Sequence, residues 1–261
     1  MDEEILGITK LVNWLFGKPV LALLALLHIK PNNLEYPIPN HVAMEMLVFV
    51  LAAIFFLWLK ARLSVERPGA TQQCMEMILT NPMSLGVRDL LENSVGHGAE
   101  KYVAMLGSVG IFVLFCNLIS LVPGLSSPTA VVSVPAGCAV VIFLYYNWSG
   151  LAKQGLFGYL KHFIIMPIEI ISHAARLLSL TVRLWVNMFV SELLYGIFLG
   201  LLLELFLYLG KLNSVGYSAI IFPLFVPMVF IVLHIFVAIL QAFVFTILPV
   251  IYVAEAVKTE H

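Results

Sequence analysis

Residues 177–194 read LLSLTVRLWVNMFVSELL. The stretch lies inside a helical pattern that runs from His162 to about Leu209, with no strong breaker except Pro167 near its start. At about 1.5 Å per residue this run would be roughly 70 Å long, whereas a bilayer core is about 30 Å thick. A helix of that length must tilt strongly or break. A second apolar run, at about 216–256, carries the same excess. Two over-long helices in succession predict a slanted hairpin packed against protein rather than lipid. Polar residues sit within the first of them, at Arg183, Asn187 and Glu192. An arginine at the centre of a membrane helix costs at least about 2.5–3.5 kcal/mol, and Arg183 is far from either end of its run.

Composition sets the class. The chain has 261 residues, 61% hydrophobic and 11% charged, with mean hydropathy +1.01. Soluble domains carry about 25% charged residues, so an all-α polytopic membrane protein is predicted. A net charge of −1, with Lys and Arg scattered singly at segment ends, gives no basis for nucleic-acid binding. Cys74, Cys116 and Cys138 form no close pair and have no histidine at ligand spacing, so they read as small packing residues, with no disulfide framework, metal or cofactor site expected. The acidic start MDEEILG lacks the basic region of a cleaved signal peptide.

Segments follow along the chain. Residues 1–36 contain an interfacial helix or weak span. Residues 37–63 hold the first transmembrane helix, HVAMEMLVFVLAAIFFLWLKAR at 41–62. Lys60, Arg62 and Arg67 follow at its end. Positive charge marks the cytoplasmic side, so this span runs inward. Residues 64–101 are more polar; Met75, Ile78 and Leu79 fall near one face, as do Leu85 and Leu90 farther on, which predicts an amphipathic helix at the inner membrane surface. Residues 102–150 form a transmembrane hairpin with an outer turn, PGLSSPT. Residues 151–161 are a cytoplasmic loop, and 162–261 the long tilted hairpin, which leaves the C-terminus cytoplasmic.

The polar residues of that hairpin have a pattern. Glu169, Arg176 and Arg183 are spaced by seven, as are Ser172 and Ser179, and Asn187 lies four beyond Arg183. Residues seven apart project in nearly the same direction, so these form one stripe. Glu192 falls about half a turn away from Arg183. On the second helix His234 and Gln241 are also seven apart and share a face. Carboxylates and histidine relay protons through membranes. An arginine keeps its proton, so it blocks direct proton hopping and attracts a mobile carboxylate.

With these residues in place, SLTVRLWVNMFVSELL followed by LHIFVAILQAFVFTILPVIY resembles subunit a of the F-type rotary ATP synthase, in which an arginine helix of pattern SLxxRLxxNM precedes a helix with a histidine and LQAFxF. PIEIISHAARLLSL, NLISLVPG and SPTA also match, and the resemblance covers about residues 40–256. It implies that Arg183 is the stator arginine, that Glu192, His234 and Gln241 occupy outer half-channel and arginine-supporting positions, and that Glu169 is an inner half-channel acid. Ser179 and Asn187 then flank the arginine, and Arg176 stands where the family often has a second basic residue. The implied partners are a ring of carboxylate-bearing c subunits, the b subunits of the peripheral stalk, the remaining synthase subunits and lipid, in a bacterial inner membrane, with proton as the coupling ion. The chain itself would be non-catalytic and use no cofactor. It departs from the family at Val186, Val190 and Ser191, where small residues, mostly glycine, are usual.

The residues alone also admit plainer readings. Arg183 could snorkel to the interface. Glu192 and His234 could be an interhelical hydrogen-bonded pair, Gln241 could bond a backbone carbonyl, and Glu169 could be a solvated helix end. A transporter for a small anion would show internal repeats, and residues 40–150 do not resemble 160–256. A channel would show a filter motif or a ring of like residues. A P-loop, HExxH and a nucleophile elbow are also lacking.

Overall fold

The computed structural model describes residues 6–28, 30, 33–64, 68–79, 88, 92, 100–122, 124–165, 167–211 and 218–257; within the helices, side chains 74–75, 77–79, 154, 156–165, 167–170, 206, 208–211 and 218–227 lie outside the description. Among the described residues every regular element is a helix: α1 Gly7–Leu26, α2 Asn40–Arg62, α3 Ala70–Leu79, α4 Glu100–Leu118, α5 Ser133–Ile165, α6 Pro167–Lys211 and α7 Ser218–Val257. Two short 3₁₀ turns, Ile119–Leu121 and Pro128–Ala130, sit between α4 and α5. Six of the helices contain a segment long and apolar enough to cross a membrane. The protein is therefore an all-α, multi-pass integral membrane protein.

Local chemistry explains the helix ends. Pro167 opens α6, where a missing N–H goes unmissed and φ is already helical. Lys60 and Arg62 close α2, opposite the negative end of its dipole, and Arg62 lies 5.6 Å over the Trp58 ring. The apolar span within α5 ends at Lys153. The segment 151–161, expected as a loop, is helical on both sides of a single break at Gly155, which takes φ +76° and ψ 162°. Only glycine adopts that backbone without strain, so one residue redirects the chain where a longer loop was foreseen. α3 falls within the segment expected to hold a surface helix; the face assigned to Met75, Ile78, Leu79, Leu85 and Leu90 lies outside the described residues.

The helices α4 to α7 share one core. Leu106 and Val113 of α4, Ile142 and Tyr146 of α5, Leu184 and Met188 of α6, and Phe245 and Val253 of α7 are all buried in it. These positions recur at four-, seven- or eight-residue steps, so each helix turns one stripe inward. On α6 and α7 the pairs run in opposite order: Arg176 meets Glu255, Ser191 meets His234, and Phe198 stacks on Phe230 with ring centroids 3.9 Å apart. The two helices are antiparallel along that length.

At the amino end, the Asn13 side chain ties α1 to the segment before α2. Asn13 Nδ2 donates to the carbonyls of Thr9 (2.8 Å) and Ile38 (3.0 Å), and Asn13 Oδ1 accepts from the Ile38 N–H (2.9 Å). The amide thus bonds both main-chain groups of Ile38 just before α2 begins.

In lipid, helices associate through close packing and small residues rather than through water exclusion. Gly110 shows this. A Cβ placed there would lie 2.0 Å from Thr246 Oγ1 and 3.3 Å from Thr246 Cβ on α7. Gly110→Ala should therefore destabilise the α4–α7 contact by about 1–3 kcal/mol. Adding Thr246→Ala removes the nearer atom and should return part of that loss. Thermal unfolding of the lipid- or detergent-embedded chain, run on the single and double variants, checks both; equal losses in the two would refute the contact.

Candidate functional site

Three of the residues singled out in the sequence share one side of α6, but their surroundings differ. Ser179 and Arg183 are exposed and Asn187 is half-buried, while Leu180, Leu184 and Met188, one position on, are buried in the core. Val182, Val186 and Val190 are exposed beside Arg183. The guanidinium therefore stands at the edge of an apolar outer face. Among the described residues it makes no hydrogen bond or ion pair.

Arg176 is placed differently. Its Nη2 is 2.5 Å from Glu255 Oε2, and its guanidinium lies 5.0 Å over the ring of Tyr252. Both partners come from the end of α7, so this arginine is engaged within the chain. Next to it His173, given no role in the sequence, is buried and stacked on Tyr146 of α5, with the phenol oxygen 2.5 Å from Nδ1. Glu169 belongs to the same helix, and its side chain lies outside the described residues.

His234 is the centre of a polar cluster. It is 4% exposed, near the middle of α7. Its Nδ1 is 2.6 Å from Ser191 Oγ on α6. Its Nε2 is 3.1 Å from Ser120 Oγ, in the 3₁₀ turn after α4, and 3.1 Å from the carbonyl oxygen of Asn117, at the end of α4. Ser120 Oγ in turn donates to that carbonyl at 3.2 Å. Gln241, two helical turns on, is also 4% exposed and makes no hydrogen bond among the described residues.

Glu192 joins the cluster from its own side. Its Oε1 accepts the backbone N–H of Ser127 at 2.8 Å. Ser127 Oγ donates to the Cys116 carbonyl at 2.9 Å and lies 2.7 Å from Thr129 Oγ1. Thr129 Oγ1 is 2.7 Å from the side-chain amide of Asn117. Trp185 Nε1 donates to the Ala130 carbonyl at 3.0 Å, so a second bond holds the same turn against α6. The segment between α4 and α5 folds over α6 and supplies these donors and acceptors.

The structure places Glu192 and His234 in one polar cluster partway along the α6–α7 pair and Arg176 toward the end where α7 closes, with Arg183 between them along α6. Asn117, Ser120, Ser127, Thr129 and Ser191 were not foreseen as site residues. Their signal was a set of small polar residues in NLIS and SSPT, between two spans, which the sequence reading used only as matching text. Ser191 was noted only as a bulkier stand-in for glycine. Among the described residues no three His, Cys, Asp or Glu side chains are grouped to hold a metal ion.

Comparison with known proteins places the chain in a family. The family model described as ATP synthase A chain matches residues 42–254. ATP synthase subunit a of Koribacter versatilis is 37% identical over 98% of each chain. ATP synthase subunit a of Solibacter usitatus is 40% identical, over 86% of this chain and 90% of its own. ATP synthase subunit a 1 of Syntrophotalea carbinolica is 35% identical over 88% and 91%. With a family match across four of its five largest helical stretches and relatives aligned along nearly all of its length, the chain belongs to the ATP synthase A chain family.

Proposed function

We propose that this chain is the non-catalytic membrane stator of a rotary ATP synthase, lying beside a ring of c subunits and coupling proton flow to ring rotation. The observation that carries the reading is Arg183, an exposed cation on an apolar span face with no partner among the described residues. Left against lipid it would cost several kcal/mol. A neighbouring polypeptide that presents a carboxylate removes that cost, and a rotor with one acid per subunit presents them in turn.

The remaining groups fit the two sides of such a contact. A proton enters from outside past Glu192 and His234 and neutralises the ring carboxylate nearest them. A neutral acid can then face lipid, whereas a charged one cannot. Rotation carries it round to the inner side, where the chain offers Glu169, and the proton leaves. The bare carboxylate is drawn to Arg183, which never yields a proton and so closes the direct path. Ser179, Asn187 and Gln241 line the arginine's surroundings. Each charge crossing supplies about 2.3 kcal/mol per 100 mV. Arg176, tied to Glu255 and Tyr252, holds the inner ends of the two helices together rather than meeting the ring.

The same reading sets the chain in the membrane. α6 has 45 residues, about 68 Å at 1.5 Å per residue, so α6 and α7 form a strongly tilted hairpin along the ring. α3 begins an amphipathic helix on the inner surface. The C-terminus is cytoplasmic, in a bacterial plasma membrane, and the b subunits of the peripheral stalk and the remaining synthase subunits complete the assembly.

Two substitutions test this in inverted membrane vesicles. Arg183→Ala should abolish ATP-driven proton pumping while the complex still assembles; normal pumping in that variant would end the stator reading. Glu192→Gln should slow passive proton entry about tenfold or more, in line with the general acid–base contribution of a positioned carboxyl, without opening a leak. Unchanged rates across a pH series would remove Glu192 from the path.

A further inference from the structure

The protons around His234 can be counted, and the count selects one form of the ring. The Asn117 carbonyl can only accept. Ser120 Oγ spends its single proton on that carbonyl. His234 Nε2 stands 3.1 Å from both oxygens. A bare Nε2 would face the carbonyl lone pair to lone pair, so Nε2 carries the proton and shares it between the two. In the neutral ring this leaves Nδ1 bare, and Ser191 Oγ, at 2.6 Å, is the donor to it.

A similar count shows which groups do not move protons. Ser127 Oγ, Thr129 Oγ1 and the Asn117 amide make two contacts with one another, and Ser127 makes a third with the Cys116 carbonyl. All three carry a proton only if the amide nitrogen of Asn117 donates to Thr129, Thr129 to Ser127, and Ser127 to the carbonyl. The two ends of an amide are assigned from such networks. In this orientation the Asn117 side-chain nitrogen gains a partner and the amide oxygen takes its place as the buried atom without one. The run ends on a carbonyl, which has no proton to hand on. These hydroxyls therefore shape the site and do not conduct through it.

We propose that Ser191 is a positioning residue that holds His234 as the Nε2–H tautomer, so that Nδ1, on the α6 side, takes up and releases the travelling proton. When a proton bonds to Nδ1, the Ser191 O–H···N bond breaks. The new N–H donates to Ser191 Oγ, and the serine proton turns to a helix carbonyl one turn back, as serine can in a helix. Release reverses each step, and Nε2 keeps its proton throughout. The glycine usual at this position could make neither bond.

The titratable or charged groups on the elements around His234 can be named. α6 carries Glu169, His173, Arg176, Arg183, Glu192, Tyr195, Glu204, Tyr208 and Lys211, with His173 paired to Tyr146, Glu192 to the Ser127 N–H and Arg176 to Glu255. α4 has Cys116 beside Asn117 and, at its far end, Glu100, Lys101 and Tyr102. α7 adds Tyr252 and Glu255 toward its C-terminus. Glu192 follows Ser191 directly in the chain and is the acid of α6 nearest to it in sequence.

The geometry of this proposal is independent of the stator reading; only its consequence for transport rests on it. Nitrogen-15 NMR of the full chain in lipid, with histidine labelled and His234 assigned by its loss in His234→Gln, reads the tautomer directly. The wild type should show a bare Nδ1 and a protonated Nε2. Ser191→Ala should shift the population toward Nδ1–H or a mixture and lower proton conduction about fivefold, the equivalent of one lost hydrogen bond. Ser191→Thr should restore both. A wild-type ring protonated at Nδ1 overturns the assignment, as does a Ser191→Ala chain with unchanged tautomer and rate. The expected tautomer alongside an Arg183→Ala complex that still pumps would leave this assignment standing and reject the stator role.

Discussion

An arginine side chain on an apolar membrane surface is the constraint to which the rest of this structure answers. Arg183 projects from a face of α6 on which its exposed neighbours Val182, Val186, Phe189 and Val190 are apolar. Burial inside the bundle would have required an internal carboxylate, and the packing gives that stripe to Leu180, Leu184 and Met188 instead. The other arginine of the helix is neutralised from within, by Glu255. The contrast between the two is informative. One cation is satisfied by the fold and ties α6 to α7; the other makes no hydrogen bond or ion pair among the described residues.

A second constraint follows from the first. If charge is to reach a position beside Arg183, polar groups must cross an apolar layer without dissolving it. The cluster at His234 does so with side chains that are nearly all bonded to one another or to backbone. Buried polar groups are tolerated when their partners are complete. The turns between α4 and α5 provide those partners, and Trp185 and Glu192 fasten them to α6 from two points. A rigid frame of this kind leaves few groups free to change protonation, which is what a selective path needs.

Much of the architecture was readable because spans announce themselves by length. The run around 41–62 and the two long runs after 162 translate directly into α2, α6 and α7. Arg183, Glu192 and His234 stood out because ionisable residues are rare in such runs. Asn117, Thr129 and Ser191 did not stand out. Their importance depends on a turn folding across α6, so that Ser127 meets a residue 65 positions later, and periodicity within one helix carries no record of that. The loop expected at 151–161 was misread for the opposite reason. A single glycine with positive φ redirects the chain without interrupting the helical pattern on either side. Arg176 shared the spacing of Arg183, yet an acid on the next helix gave it a different neighbourhood.

Asn13 bears on how such a chain is made. Its amide closes on Ile38, so α1 and the start of α2 are joined by bonds that need nothing downstream. That opening pair can settle as soon as it leaves the ribosome. The surroundings of His234 are the reverse: Asn117 and Ser120 are synthesised more than a hundred residues before the histidine that completes them. Throughout that interval the Asn117 carbonyl and the Ser120 hydroxyl have each other, and the ring that completes the cluster arrives with α7.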